Sequence, residues 1–222
     1  MYSVKCDGVT IYNDVFLTES AKAVNPKLTL KDNSAGTLEI TMPPGNDGYD
    51  KAEKLISEIV VYRDNIEIWS GRIIKEKKDF WNNRILTCEG ELAYLNDTTQ
   101  PPNKYDNTTI RNFLNELLKV HNQKVSADKQ FTIGAVTFND ADIYSFATDV
   151  DNTFSVIVDS LIDRFGGHLR IRKENGVRYL DYLKEWSSTN TQEIRFGQNL
   201  LDFTRNWDVT NFVTVVMPKG ER

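Results

Sequence analysis

Apolar and polar residues alternate along this chain at two periods, and the change of period divides it. Over roughly the first hundred residues the period is two, the signature of half-buried strands. Runs at 3–6 and 9–11 flank Asp7-Gly8, a dipeptide suited to a two-residue hairpin. Runs at 27–30 and 37–42 are separated by the turn chemistry of KDNSAG, and Pro43-Pro44-Gly45 breaks the second. Residues 49–55 predict a short helix with Asp47 near its start. Runs at 58–63 and 67–74 join through Asp64-Asn65, with Gly71 a candidate bulge. A strand at 84–89 and a helical turn at 91–95 follow. Strands at this density predict a small antiparallel barrel or sandwich.

The stretch 97–105 is polar, contains Pro101-Pro102, and is the candidate domain boundary. Beyond it the period becomes helical. Ile110, Phe113, Leu114, Leu117, Leu118 and His121 predict one helix, with Asn107 or Thr108 as its cap. Residues 131–138 predict a strand. Phe154, Ile157, Val158, Leu161, Ile162 and Phe165 predict a second helix, stopped by Gly166-Gly167. Strands at 168–172 and 177–183 join through Glu174-Asn175-Gly176, and strand character returns at 194–196 and 212–217. The chain ends one step past that last β-forming run, as the front part of a longer protein would.

Composition narrows the function. The 222 residues are 40% hydrophobic and 11% aromatic, which describes a globular chain. The net charge is −5, with 12 basic against 16 acidic residues in 1–98 and 15 against 16 in 99–222. That balance argues against a broad nucleic-acid-binding face. Cys6 and Cys88 are too few for a disulfide scaffold. The N-terminus lacks a signal-peptide pattern, and no apolar run approaches the ~20 residues that span a bilayer. The chain reads as one folded in a reducing cytoplasm.

The search for catalytic chemistry finds no G-x-S-x-G elbow, P-loop or G-x-G-x-x-G. His121 and His168 are the only histidines, and both read as structural. Neither they nor the cysteines stand at zinc spacing, and no cofactor is implied. Asp140/Asp142 and Asp149/Asp151 read as solvated loops, because DVDNT lacks the later ligands of a calcium loop. Lys75-Glu76-Lys77-Lys78 reads as the charged face of an exposed hairpin. Trp69, Phe80 and Trp81 read as core residues or interface anchors, with core the default for those inside strands. Trp186 and Trp207, beside polar stretches, suit an interface.

The C-terminal third carries a familiar pattern: DSLIDRFGGHLRIRKENGVRYLDYL, then I-x-F-G-x-N-L-L-D at 194–202 and T-x-V-x-P-x-G at 214–220. Earlier segments fit as well: G-x-L-E-I-T-M-P at 36–43, I-W-S-G-R-I at 68–73 and C-E-G-E-L-A-Y-L-N-D at 88–97. Together they resemble the N-terminal region of phage and prophage minor structural proteins, the tail-associated baseplate-hub proteins of phages of Gram-positive bacteria. The resemblance implies an α+β chain: a tube-type antiparallel β-barrel at 1–98, an inserted α+β domain with two helices and a hairpin at 105–190, and the start of a second barrel at 194–222. The family's hub region runs past Arg222. A homotrimer would form a pseudo-sixfold ring at the tail tip of the virion, after synthesis in the bacterial host cytoplasm. It would contact the distal tail protein, the tail tube and the tape-measure protein, pass DNA through an acidic lumen without specific binding, and carry host-recognition or lytic domains beyond. Catalysis and membrane insertion are not implied. The candidate assembly residues are Gly197, Asn199, Leu200, Asp202 and Trp207, with Gly197 supplying a special backbone conformation and Asn199 and Asp202 satisfying backbone groups. The alternatives are a tail-associated peptidoglycan hydrolase or a carbohydrate-binding module using Trp186 and Trp207 as platforms.

Overall fold

The computed structural model describes residues 1–15, 22–186, 193 and 195–197. Seven strands open the chain: β1 (Tyr2–Cys6), β2 (Val9–Asn13), β3 (Val24–Thr29), β4 (Thr37–Met42), β5 (Glu58–Arg63), β6 (Ile66–Lys78) and β7 (Arg84–Gly90). They form one antiparallel sheet in the order β2-β1-β5-β6-β7-β4-β3. Two tight hairpins set its register. Asp7-Gly8 has φ of 47° and 80°, and Asp64-Asn65 has 51° and 64°. Left-handed residue pairs of this kind match the twist of the flanking strands. Bulges between Val61 and Tyr62 and between Ile73 and Lys75 add curvature. The sheet curls into a half-barrel, and the Ala23 N–H, just before β3, donates to the Ile11 carbonyl of β2 at 2.9 Å. Alternate side chains point into this curl: Val4, Cys6, Ile11, Leu38, Ile40, Ile59, Ile73 and Leu86 are all buried.

At Gly90 the chain passes directly into a 3₁₀ helix (Glu91–Asp97) whose Leu92, Tyr94 and Leu95 belong to a second hydrophobic cluster. The polar stretch that follows forms β8 (Thr99–Gln100) and β9 (Asn103–Thr108). Then come α1 (Ile110–Asn122), a short 3₁₀ turn (Ala127–Lys129), β10 (Thr132–Val136), β11 (Tyr144–Thr148) and β12 (Asp151–Asn152). A helical stretch runs as α2 (Thr153–Ile157), a π-turn (Val158–Ile162) and α3 (Asp163–Phe165), before the hairpin β13 (His168–Glu174) and β14 (Val177–Leu183). β14 pairs antiparallel with β13 and parallel with β10, while β11 pairs with β9 and β12 with β8. The π-turn exposes carbonyls that an α-helix would use internally. The Tyr182 hydroxyl lies 3.0 Å from the Leu161 carbonyl and 2.6 Å from that of Gly166. Phe113 stacks on Phe146 at 4.1 Å in the middle of this cluster. Residues 1–186 form one compact unit.

Two local expectations are corrected, and an open one is decided. Residues 49–55 make turns rather than a helix, and Leu55, at φ 64°, donates its N–H to Ile73. The cap of α1 is Thr109, whose side chain accepts from the Asn112 N–H, not Asn107 or Thr108. Of the two readings open for Phe80 and Trp81, core is excluded: they stand in the β6–β7 turn, 92% and 73% exposed.

Candidate functional site

The hairpin β13–β14 is where the second cluster meets the half-barrel. Its Asn175-Gly176 turn, at φ 52° and 77°, pairs Glu174 with Val177 and so places Arg170 opposite Asp181. Asp181 is fully buried. It accepts from Arg170 at 2.6 Å, from Arg172 at 2.8 Å and from the Ala135 N–H at 2.8 Å. Burial opposes its ionisation, but these donors outweigh burial and hold its carboxyl below the ordinary range. Gly134 permits the contact, since a β-carbon there would lie 2.0 Å from the Asp181 carboxylate.

Lys173, on the same hairpin, reaches across to the half-barrel. Its ammonium is 2.9 Å from Glu91, 3.0 Å from Glu58, 3.2 Å from Glu67 and 2.9 Å from the Ser70 hydroxyl. Glu91 is 3% exposed and also bonds Arg178 at 2.5 Å. Burial alone would raise the Glu91 carboxyl; Arg178 and Lys173 reverse that and hold it down. Burial would likewise lower Lys173, yet Glu91 and Glu58 push it well above the ordinary lysine range. Arg178 lies over Tyr94 at 5.1 Å and Phe131 at 5.4 Å, while Arg72, bound to Glu89 and Asp97, covers Tyr94 at 5.0 Å. A second clasp is neutral: Asn33 donates to the Gly167 carbonyl at 2.9 Å and accepts from the Leu169 N–H at 2.7 Å. These bonds fix the hairpin against the half-barrel.

Beside the junction lies an open groove of about 550 Å³, lined by Leu30, Ile68, Trp69, Leu169, Ile171 and Trp186 among others. Trp186 is 45% exposed and lies 5.0 Å from the His168 ring, whose Nδ1 is 2.5 Å from Asp32. The other histidine is internal. The Nε2–H of His121 donates to the Lys129 carbonyl at 3.1 Å, so Nδ1 accepts from the Thr98 hydroxyl at 2.7 Å. Thr98 in turn meets Thr153 at 2.8 Å, and Thr153 accepts from Gln100 at 2.8 Å. Burial lowers the His121 pKa, so the ring is neutral at pH 7.

Among the described residues no three His, Cys, Asp or Glu side chains cluster to hold a metal ion. Asp140 pairs with Arg111 at 3.3 Å, while Asp149 and Asp151 accept from neighbouring backbone N–H groups. Of the candidate assembly residues, Gly197 has φ 79°, in the left-handed region. Asn199, Leu200, Asp202 and Trp207 lie outside the described residues. The Asp181 and Glu91 networks were missed from sequence. The Asp181 pairing was available from the hairpin register, whereas nothing local marks Glu91 as buried.

No protein-family model and no curated protein sequence matches the chain. Solved structures do. The chain is similar in fold to the 43 kDa tail protein of prophage MuSo2 from Shewanella oneidensis, at TM-score 0.50 and 12% identity over 81% of this chain and 54% of that one. It is similar also to the tail protein from Neisseria meningitidis MC58, at TM-score 0.50 and 13% identity over 81% of this chain and 50% of that one. The chain thus spans about half the length of these tail proteins and shares their fold over most of its own.

Proposed function

We propose that this chain is a structural component of a phage or prophage tail, acting at the tail tip as the front part of a baseplate-hub protein. The observation that carries the reading is the fold shared with two tail proteins, one of them from a prophage, across 81% of the chain. Two further features support it. The segments at 36–97 and 165–220 resemble parts of phage minor structural proteins. The Asp181, Glu91 and Asn33 contacts hold one hairpin in place, as a scaffold requires. In this reading the half-barrel at 1–98 is a tube-type domain and 105–190 is an insertion. Residues 194–222 lead into a second barrel, with Gly197, Asn199, Leu200, Asp202 and Trp207 at the return. Three copies form a ring that continues the tail tube against the distal tail protein, without catalysis.

Immunogold labelling of tail particles with antibody to this chain tests it directly. Gold at one end of the tail, opposite the head, is expected; labelling along the tail or none at all refutes the reading. Light scattering on a size-exclusion column, across a concentration series, then tests the ring. A trimer locates the closing contacts within 1–222, and a monomer at every concentration rules out a ring closed by this segment alone.

A further inference from the structure

The turn joining β6 to β7 presents Phe80 and Trp81 to solvent, 92% and 73% exposed, edge to face with ring centroids 5.7 Å apart. The turn beneath them is fixed. The Asp79 carboxylate accepts from the Trp81 N–H at 2.9 Å, the Asn83 N–H at 2.8 Å and the Asn83 side-chain amide at 2.8 Å. The Asp79 N–H donates to the Asn83 carbonyl at 3.1 Å, and the Tyr49 hydroxyl donates to the Asn82 carbonyl at 2.5 Å. Behind the rings stand Lys75, Lys77 and Lys78, all exposed. Alternation along β6 places Lys75 and Lys77 on the outer face, opposite Thr87 and Ile85. Lys78 takes the other face, over Tyr49 at 5.7 Å. The acidic groups of the hairpin face inward: Glu76 pairs with Arg84 at 2.8 Å and Asp79 is tied into the turn. A chain of net charge −5 therefore carries a basic, aromatic-tipped projection.

We propose that this tip is a peripheral anchor for an anionic phospholipid bilayer, with both rings at the boundary of headgroups and acyl chains and the lysines at phosphate level. Three observations favour lipid over a protein partner. Lysine is depleted at protein interfaces, whereas membrane boundaries take tryptophan and lysine together. The tip is a convex projection rather than a concave pocket. Its turn satisfies the Trp81, Asn82 and Asn83 N–H groups internally, which removes part of the cost of leaving water. The anchoring is interfacial and no strand is buried, which is compatible with a chain that does not insert into a membrane. It does not depend on the tail reading.

The test is co-sedimentation of the full chain with vesicles of phosphatidylcholine containing about 30% phosphatidylglycerol, against pure phosphatidylcholine. Binding to the anionic vesicles is expected, falling as salt rises from about 0.05 to 0.5 M. Phe80→Ser/Trp81→Ser and Lys75→Glu/Lys77→Glu/Lys78→Glu are each expected to weaken it at least about tenfold with unchanged thermal melts. Trp81→Phe retains binding but loses the fluorescence quenching that acyl-brominated lipid produces in the wild type. No binding to anionic vesicles overturns the proposal, as does binding that survives both multiple substitutions. A concentration-dependent oligomer of the wild type, abolished by Phe80→Ser/Trp81→Ser in the absence of vesicle binding, also overturns it and assigns the tip to protein contact.

Discussion

Replacing Glu91 by glutamine keeps the side chain's shape and removes one charge from the junction. The carboxylate is 3% exposed and receives Arg178 at 2.5 Å and Lys173 at 2.9 Å. Breaking one side of a buried ion pair costs about 3–5 kcal/mol, because the partner cations stay behind. Here the partners keep other acceptors: Arg178 retains the Asp128 carbonyl at 2.7 Å, and Lys173 retains Glu58 at 3.0 Å and Glu67 at 3.2 Å. The expected loss is therefore near the lower end, about 3 kcal/mol. For a chain of this size that lowers Tm by roughly 6–12 °C. Urea unfolding measures it, with Glu116→Gln as the control. Glu116 is about half-exposed and, among the described residues, forms an ion pair with Lys119 alone, so its loss should cost about 0.5 kcal/mol or less. A double-mutant cycle with Lys173→Met should show coupling of at least about 1 kcal/mol. A Glu91→Gln loss no larger than the control's, or an additive cycle, refutes the view that this network locks the hairpin to the half-barrel.

Other outcomes follow from the same geometry. The His121 pKa is lowered by burial, so the unfolded chain binds the extra proton first. Stability is then full above about pH 6.5 and falls as pH drops below it, which unfolding midpoints from pH 7.5 to 5.5 report. His121→Gln should flatten that limb at some cost in overall stability. Burial pushes the Cys6 thiol up to about 11 and the Cys88 thiol up to about 12. Ellman's reagent should therefore label neither in the native protein at pH 8, and both at the rate of unfolding; fast native labelling contradicts the packed interior. Gly90→Ala would set a β-carbon 1.9 Å from the Ala35 carbonyl and 2.7 Å from the Trp69 indole nitrogen. It should cost about 2–3 kcal/mol by thermal melting, and a neutral effect would show that the approach is looser than described.

Much of this architecture is written locally. Asp7-Gly8, Asp64-Asn65 and Asn175-Gly176 each dictate a two-residue hairpin, and the strands beside them follow by alternation. The stripe from Ile110 to His121 needs only its 3.6-residue period to become a buried helix face. What escaped depends on contacts distant in sequence. β9 is polar because much of it faces solvent, and its identity as a strand comes from pairing with β11, some forty residues on. Phe80 and Trp81 have strand-forming side chains, yet Asp79 captures the Trp81 N–H into a turn and leaves both rings outside the strands. Glu91 reads as an ordinary helix-start acid. Only Lys173 and Arg178, more than eighty residues later, make it a buried anchor.

The passage from β7 to the 3₁₀ helix has a mechanical consequence. Gly90 ends one hydrophobic layer and Glu91 begins the next, so no slack separates them. The clasp of Asn33 on Gly167 and Leu169 spans the same joint from another side. A pull on the hairpin is therefore carried straight into the half-barrel, loading many short bonds in parallel instead of swinging about a linker. The joint behaves as a weld: under tension residues 1–186 should lengthen in one abrupt step, with no compliant phase before it.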